Sequence, residues 1–229
     1  MSRTHQDAPA GEGARSEESA IGAASFVLAL RAHGIRDTGV LRAMELVPRE
    51  LFAPRRFADL ARKDVALPLA CGQTMTAPKT VAVMLVALGA EAGQTVLEIG
   101  TGSGYVTALL AQLGCEVVSV ERFGALAEGA VGHLAAAGLK RGIKIEHGDG
   151  LAVRPRQRFD RILLNGSAPS VPATLTSLLG PGGRLVGAAT ADGPPRLLRI
   201  ERVADGESSE EHGAPLRISP LLDGVAQSL

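Results

Sequence analysis

The sequence contains no tryptophan, a single tyrosine and only five phenylalanines in 229 residues. Its core must therefore be built from Leu, Val, Ile and Ala, which the 45% hydrophobic content supplies in quantity. Cysteine is equally scarce. Cys71 and Cys115 lie far apart and outside any metal-ligand spacing, which speaks against a disulfide-stapled scaffold and suits two reduced thiols in the cytoplasm. No metal site is expected. Net charge is absent too, because 24 basic residues balance 24 acidic ones. No long-range field then draws the chain to nucleic acid or to an anionic membrane, and neither is expected as a partner. No apolar run approaches the roughly 20 residues that span a bilayer. The polar opening, with Asp7, Glu12, Glu17 and Glu18, lacks the basic start and apolar stretch of a secretory signal. A cytoplasmic protein is the expectation.

The length suits one α/β domain. Residues 1–20, rich in Gly, Ala, Ser and Glu, read as a disordered tail. Residues 21–63 form a helical cap, with a helix over Ser25–Gly34 and another from Asp37, its N-cap, to Leu46 before Pro48. Residues 64–80 read as a loop dominated by small, hydroxylated and Pro residues, with a helix starting at Pro78 and running to Leu88. Over 94–229 strand and helix alternate. Strands are predicted at Thr95–Ile99, Glu116–Val120, Ile143–Glu146, Phe159–Leu164 and Arg184–Gly187, and helices at Tyr105–Leu113, Leu126–Ala137 and Pro172–Leu179. This repetition implies a mainly parallel sheet covered on both faces. Arg196–Val203 and Leu216–Ser219 read as an antiparallel edge pair joined through an exposed 204–214 connection.

Three loops fall at the carboxyl ends of strands, where open α/β folds bind ligands. Glu98-Ile99-Gly100-Thr101-Gly102-Ser103-Gly104-Tyr105 has Gly-x-Gly-x-Gly spacing instead of the Gly-x-Gly-x-x-Gly of dinucleotide folds. It suits a compact amino-acid–nucleoside ligand better than a pyrophosphate. Glu121 ends the second strand, about twenty residues on, where a carboxylate accepts two hydrogen bonds from a ribose diol. Taken alone it is equally a solvated strand-end charge. His147-Gly148-Asp149-Gly150 follows the third strand. Asp149 would accept from an adenine amino group and Gly150 would leave room for the ring, although alone this is also an ordinary Asp-Gly turn. The spacing and the lack of a Tyr–Lys pair, Tyr105 being the sole tyrosine, argue against a nicotinamide oxidoreductase.

The run Val96–Tyr105 with Ser119–Arg122 and His147–Gly150 resembles the class I S-adenosylmethionine-dependent methyltransferases. The upstream blocks Val47-Pro48-Arg49-Glu50-Leu51-Phe52, Asp64–Pro68 and Gly72-Gln73-Thr74-Met75-Thr76-Ala77-Pro78, together with Ala168-Pro169 and Val171-Pro172, resemble the protein-L-isoaspartate O-methyltransferases in particular. The similarity spans roughly residues 27 to 222. It implies a Rossmann-like class I fold with antiparallel edge strands, and methyl transfer from S-adenosyl-L-methionine to the α-carboxylate of L-isoaspartyl residues in damaged proteins. The ester then closes to a succinimide, whose hydrolysis restores some aspartate. Mapped onto this sequence, Gly100, Thr101, Gly102, Ser103 and Gly104 bind the amino-acid part of the cofactor. Glu121 holds the ribose, and Asp149 and Gly150 flank the adenine. Gln73, Thr74 and Thr76 face the substrate, with the Thr76 hydroxyl at the reacting carboxylate. A carboxylate is already nucleophilic at neutral pH, so alignment and exclusion of water are the main requirements. His147 reads as structural. A monomer acting on L-isoaspartyl proteins or peptides is expected.

The departures from the family pattern cluster on the substrate side: Arg62, Cys71, Met75, Thr76 in place of the usual Ser, Lys79 and Asn165. Arg62 and Lys79 are either substrate contacts or solvated charges. Two alternatives follow: a methyltransferase dedicated to an Asp carboxyl in one partner protein, and a cofactor-binding module without catalysis. The retained hydroxyl at Thr76 favours an enzyme.

Overall fold

The computed structural model describes residues 10–154, 157–191, 193–203 and 208–226, with side chains from residue 20 onward. Helices α1 (Ala10–Ala32), α2 (Thr38–Leu46) and α3 (Pro78–Leu88) precede the main sheet, and short 3-10 turns at Arg49–Leu51 and Arg55–Leu60 link α2 to the following loop. That loop holds a small antiparallel pair, β1 (Leu67–Pro68) with β2 (Thr74–Met75). Then come β3 (Thr95–Ile99), α4 (Tyr105–Gln112), β4 (Glu116–Glu121), α5 (Gly124–Ala136), β5 (Ile143–His147), β6 (Phe159–Ala168), α6 (Ala173–Ser177), β7 (Leu179–Ala189), β8 (Arg196–Arg202) and β9 (Ser208–Pro215).

The seven-stranded sheet runs in the order β5-β4-β3-β6-β7-β8-β9. The strands from β5 to β7 pair in parallel, and β8 and β9 add antiparallel at one edge. This is the mainly parallel sheet that the alternation predicts and the Rossmann-like fold that the resemblance implies. The central strands are buried on both faces, as period-2 geometry requires. Val96 and Leu163 enter the core shared with the N-terminal helices, whereas Leu97, Ile162 and Leu164 enter the core on the opposite face.

Local chemistry explains the helix starts. Asp37 caps α2, its Oδ1 accepting from Val40 N at 2.8 Å, a contact typically worth ~1 kcal/mol. Helix α3 begins with Pro78 and is preceded by Ala77, which has no side-chain acceptor. Asp64 supplies the cap from the loop instead, accepting from Lys79 N at 2.9 Å.

Two expectations need correction. The segment read as a disordered tail over 1–20 is helical from Ala10, and only residues 1–9 of it lie outside the described chain. Ala, Glu and Arg are good helix formers, and they extend cooperatively from turns that Phe26 and Leu30 anchor in the core. The last strand is Ser208–Pro215 and not Leu216–Ser219. Residues 208–214, read as connection, carry no apolar alternation because β9 is an edge strand facing water on almost every residue. Backbone pairing with β8 and the Arg199–Glu211 ion pair hold it. Residues 216–226 are thereby freed to cross back over the carboxyl ends of the parallel strands.

Candidate active site

Strand β3 is flanked by β4 on one side and β6 on the other, so chain direction diverges there and opens a crevice at the strand ends. Into it project the glycine loop after β3, Glu121 at the end of β4, the turn after β5 and Asn165 within β6. One cavity is lined by Gln73, Thr74, Thr76, Gly100, Glu121 and Gly150, among others. A smaller cavity beside it is lined by Thr101, Ser103 and Tyr105. Thr74, Thr76, Gly102 and Asn165 line both, which makes them the throat between the two.

The glycine loop is held from several directions. Gly100, Gly102 and Gly104 have φ of 93°, 56° and 85°. A Cβ on Gly104 would sit 3.0 Å from Ala130 Cβ, so the loop packs directly on α5. Gly104 therefore supports the site from behind and lines neither cavity. Glu121, 4% exposed, accepts from Gly102 N at 2.8 Å through Oε2 and from Phe123 N at 3.0 Å through Oε1. Each oxygen keeps a further lone pair. His133 Nδ1 donates to Ser103 O at 2.9 Å, fixing its tautomer, since a carbonyl only accepts.

Asp149 stands elsewhere than the cavity lining. Its Oδ1 accepts from Leu151 N at 2.9 Å and its Oδ2 from Gly224 N at 2.8 Å. Gly150 lines the larger cavity, and the direction an added Cβ would take is occupied by Ile99 Cγ2, so only glycine fits there. His147 is a strut, donating from Nε2 to Arg122 O at 3.1 Å. Gly224 belongs to the C-terminal segment, which sequence reasoning missed. Ser219, Pro220, Leu221 and Leu222 line the larger cavity. Leu221 N donates to Ser167 O at 2.7 Å. Arg122 Nε and Nη2 donate to Gly224 O and Asp223 O at 3.0 and 3.2 Å. The paired Leu221-Leu222 beside Pro220 was the available signal, though no periodicity distinguishes it from an edge strand.

Beside this segment stands the loop carrying Thr74 and Thr76. The Thr74 hydroxyl is engaged with Ser219 Oγ at 2.6 Å. Thr76 is half-buried, and its hydroxyl makes no hydrogen bond among the described residues. Asn165 Nδ2 donates to Gly100 O at 3.0 Å, tying β6 to the glycine loop. Arg62 is paired with Glu50 at 2.7 Å, and neither it nor the exposed Lys79 lines these cavities. Arg49, 1% exposed, donates to three backbone carbonyls: Nη1 to Ala61 O, and Nη2 to Val65 O at 3.4 Å and Thr76 O at 3.0 Å. Burial lowers its pKa to about 10, which leaves it cationic at neutral pH.

Below the glycine loop lies a buried polar chain. Glu98 Oε2 accepts from Thr107 Oγ1 at 2.5 Å and from Ser119 Oγ at 2.8 Å. Ser119 Oγ is also 2.6 Å from Thr101 Oγ1, and since Ser119 gives its one proton to Glu98, Thr101 must donate. Glu98 Oε1 has no hydrogen-bond partner among the described residues. Burial therefore pushes the Glu98 pKa up to about 7, against the two hydroxyls, which lower it. The folded protein binds more protons than the unfolded chain between the ordinary pKa of about 4.5 and about 7. Glu98 therefore costs stability progressively as pH rises through that window, approaching about 3 kcal/mol above it. Glu98→Gln is expected to melt higher than the parent at pH 8, with the advantage gone at pH 4. A pH-independent difference in melting temperature would contradict the buried, proton-holding carboxyl.

Among the described residues no group of three or more His, Cys, Asp or Glu is placed to hold a metal ion. Residues 23–226 match a family model described as protein-L-isoaspartate(D-aspartate) O-methyltransferase. A protein-L-isoaspartate O-methyltransferase of Azorhizobium caulinodans is 44% identical over 209 residues, covering 90% of this chain and 95% of that protein. One from Xanthobacter autotrophicus is 43% identical over 221 residues, covering 95% and 97%. Among solved structures, a Plasmodium falciparum protein described as a protein-L-isoaspartate O-methyltransferase, in complex with S-adenosyl-L-homocysteine, superposes with a TM-score of 0.77. It is 22% identical and covers 86% of this chain and 97% of that one, a likeness of fold.

Proposed function

The chain belongs to the protein-L-isoaspartate(D-aspartate) O-methyltransferase family, and on that premise we propose that it transfers the methyl group of S-adenosyl-L-methionine to the carboxylate of L-isoaspartyl residues in damaged proteins. The observation that carries this reading is the end-to-end match, over 40% identity across nine-tenths of the chain. The methyl ester closes to a succinimide, and hydrolysis of the succinimide returns part of the material to aspartate. The reading includes a cytoplasmic monomer, and it includes no nucleic-acid partner, a point that the balanced charge supports. No helix among the described residues is long and apolar enough to cross a membrane.

The residues present fit the cofactor. Glu121 offers remaining carboxylate lone pairs to a diol, and Ile99, Val120, Leu126 and Leu151 give an apolar face for a ring. Arg122 is a cation in the larger cavity, but it is committed to Gly224 O and Asp223 O and stacks on Phe123 at 5.0 Å. The larger cavity's lining thus carries one carboxylate, Glu121, and one guanidinium, Arg122, a balance that suits a ligand bearing both signs of charge better than a pyrophosphate. When bound, S-adenosyl-L-methionine supplies an electrophilic methyl on a sulfonium. A substrate carboxylate oxygen forms the new C–O bond as the S–C bond breaks, and no proton changes hands, so no side chain need act as a base. The task of the chain is orientation. Gly100 to Ser103 and Glu121 hold one reactant, with Gly104 supporting that loop from behind, and the Thr76 hydroxyl donates to the carboxylate of the other across the throat.

The test is methyl transfer from labelled S-adenosyl-L-methionine to a matched peptide pair, one with L-isoaspartate and one with aspartate. Base-labile label on the isoaspartyl peptide alone is expected. Label on neither peptide, with cofactor binding measured by calorimetry, would contradict the repair reading and direct the search to a dedicated partner protein or a non-catalytic role.

A further inference from the structure

We propose that Arg49 is a positioning residue for methyl transfer, its guanidinium fork holding the Thr76 loop at a fixed height over the glycine loop. The inference rests on the function proposed above. It begins with an energetic anomaly. Arg49 is a cation 1% exposed, yet every hydrogen bond it makes among the described residues goes to a backbone carbonyl. The nearby acids are engaged elsewhere: Glu50 pairs with Arg62 at 2.7 Å, and Asp64 caps Lys79 N at 2.9 Å. Its Nε has no hydrogen-bond partner among the described residues. A buried cation without a directly bonded carboxylate is costly, and an apolar side chain of similar volume would fill the space at lower cost.

What an apolar side chain would lose is the fork. The carbonyls of Ala61, Val65 and Thr76 lie at three points of the loop, so one rigid planar group closes both ends of it. The same guanidinium sits 5.7 Å from the centroid of the Tyr105 ring. Tyr105 opens α4 directly after Gly104 and packs on Phe52 at 5.7 Å between centroids. A short rigid path therefore runs from the Thr76 carbonyl through Arg49 and Tyr105 to the glycine loop. Thr76 and Gly102 face the same throat, and a path of this kind sets the gap between the two reactants. Lysine keeps the charge but cannot present coplanar donors to separated carbonyls.

The test is a double-mutant cycle of Arg49→Lys and Thr76→Val, with kcat on the isoaspartyl peptide and S-adenosyl-L-homocysteine affinity as readouts. If Arg49 acts through Thr76, Arg49→Lys lowers kcat by roughly tenfold in the parent and by less than about twofold in the Thr76→Val background. Its cofactor Kd stays within about threefold of the parent. Independent, multiplying losses in the double variant would overturn the proposal, as would kcat and cofactor affinity falling in parallel, which is the mark of general loosening. Full kcat in Arg49→Lys would show that charge alone suffices and would overturn it too. If Arg49→Lys fails to fold, Arg49→Gln, which keeps an amide donor for Thr76 O, enters the same cycle. A parent protein that labels neither peptide contradicts the function; an active parent with additive losses contradicts only the role of Arg49.

Discussion

Glu121→Ala is expected to weaken S-adenosyl-L-homocysteine binding by roughly a hundredfold, measured by calorimetry, the largest single effect on cofactor affinity that the site predicts. Hydrogen bonds to a charged group contribute about 1.5–3 kcal/mol each, and a ribose diol offers two. Even the lower end of that range for both bonds corresponds to roughly a hundredfold in Kd. A second loss adds to the first. Glu121 Oε2 holds Gly102 N at 2.8 Å and Oε1 holds Phe123 N at 3.0 Å, so its removal also loosens the glycine loop. Two controls separate these contributions. Glu121→Gln retains a carbonyl acceptor for Gly102 N and is expected to lose roughly tenfold. A 2′,3′-dideoxy analogue of the cofactor product should bind the parent poorly but bind Glu121→Ala nearly as well as the normal product does. Unchanged affinity in Glu121→Ala would remove the ribose assignment. Equal discrimination by parent and variant would assign the whole effect to the loop.

Where sequence and structure agree, a local stereochemical rule was enough. Helix α3 occupies Pro78–Leu88 as read, because Pro78 fits the first turn and Gly89, at φ 57°, ends it. Strand β3 occupies Thr95–Ile99 as read, because the run is uniformly apolar around Glu98 and ends at a glycine. The glycine loop and Glu121 meet because β3 and β4 are neighbours, which alternating strands and helices already implied. What escaped the sequence is what depends on distant pairing. Strand β9 is polar from Ser208 to His212 and ends in Gly-Ala-Pro, so its pattern matches a loop; only the ladder to β8 makes it a strand. With β9 misplaced, the return of Ser219–Leu222 to the cavity was hidden, and so was the bond between Gly224 N and Asp149. Asp149 read as an adenine contact is, in the structure, at least as much an anchor for that segment. Arg49 stood within a block that resembled the family, but nothing in Val47–Phe52 says that its guanidinium reaches Thr76 O, 27 positions away. Glu98 looked like one more polar residue of the glycine motif. That it is fully enclosed, with one oxygen unpartnered among the described residues, is a property of the packed sheet.

Thr76→Val should lower kcat by between roughly tenfold and a hundredfold while leaving cofactor affinity within about threefold. The asymmetry is the argument. Valine matches threonine in shape and in its restricted χ1, so the exchange removes a hydroxyl and little else. The Thr76 carbonyl remains held by Arg49 at 3.0 Å, so the loop keeps its place. The lost hydroxyl has no hydrogen bond among the described residues, so no protein donor or acceptor is left unpaired behind it. Any loss then reports a contact made with substrate. Of the two loop hydroxyls at the throat, Thr74 is already engaged with Ser219 at 2.6 Å, which leaves Thr76 as the one able to turn toward a carboxylate. Thr76→Ser completes the comparison: it keeps the donor, drops the methyl, and should retain kcat within about threefold. If Thr76→Val instead turned over at the parent rate, alignment of the carboxylate would have to come from backbone donors of the loop. If the serine variant fell as far as the valine one, the methyl group and its fixed rotamer, not the hydroxyl, would be what orients the substrate.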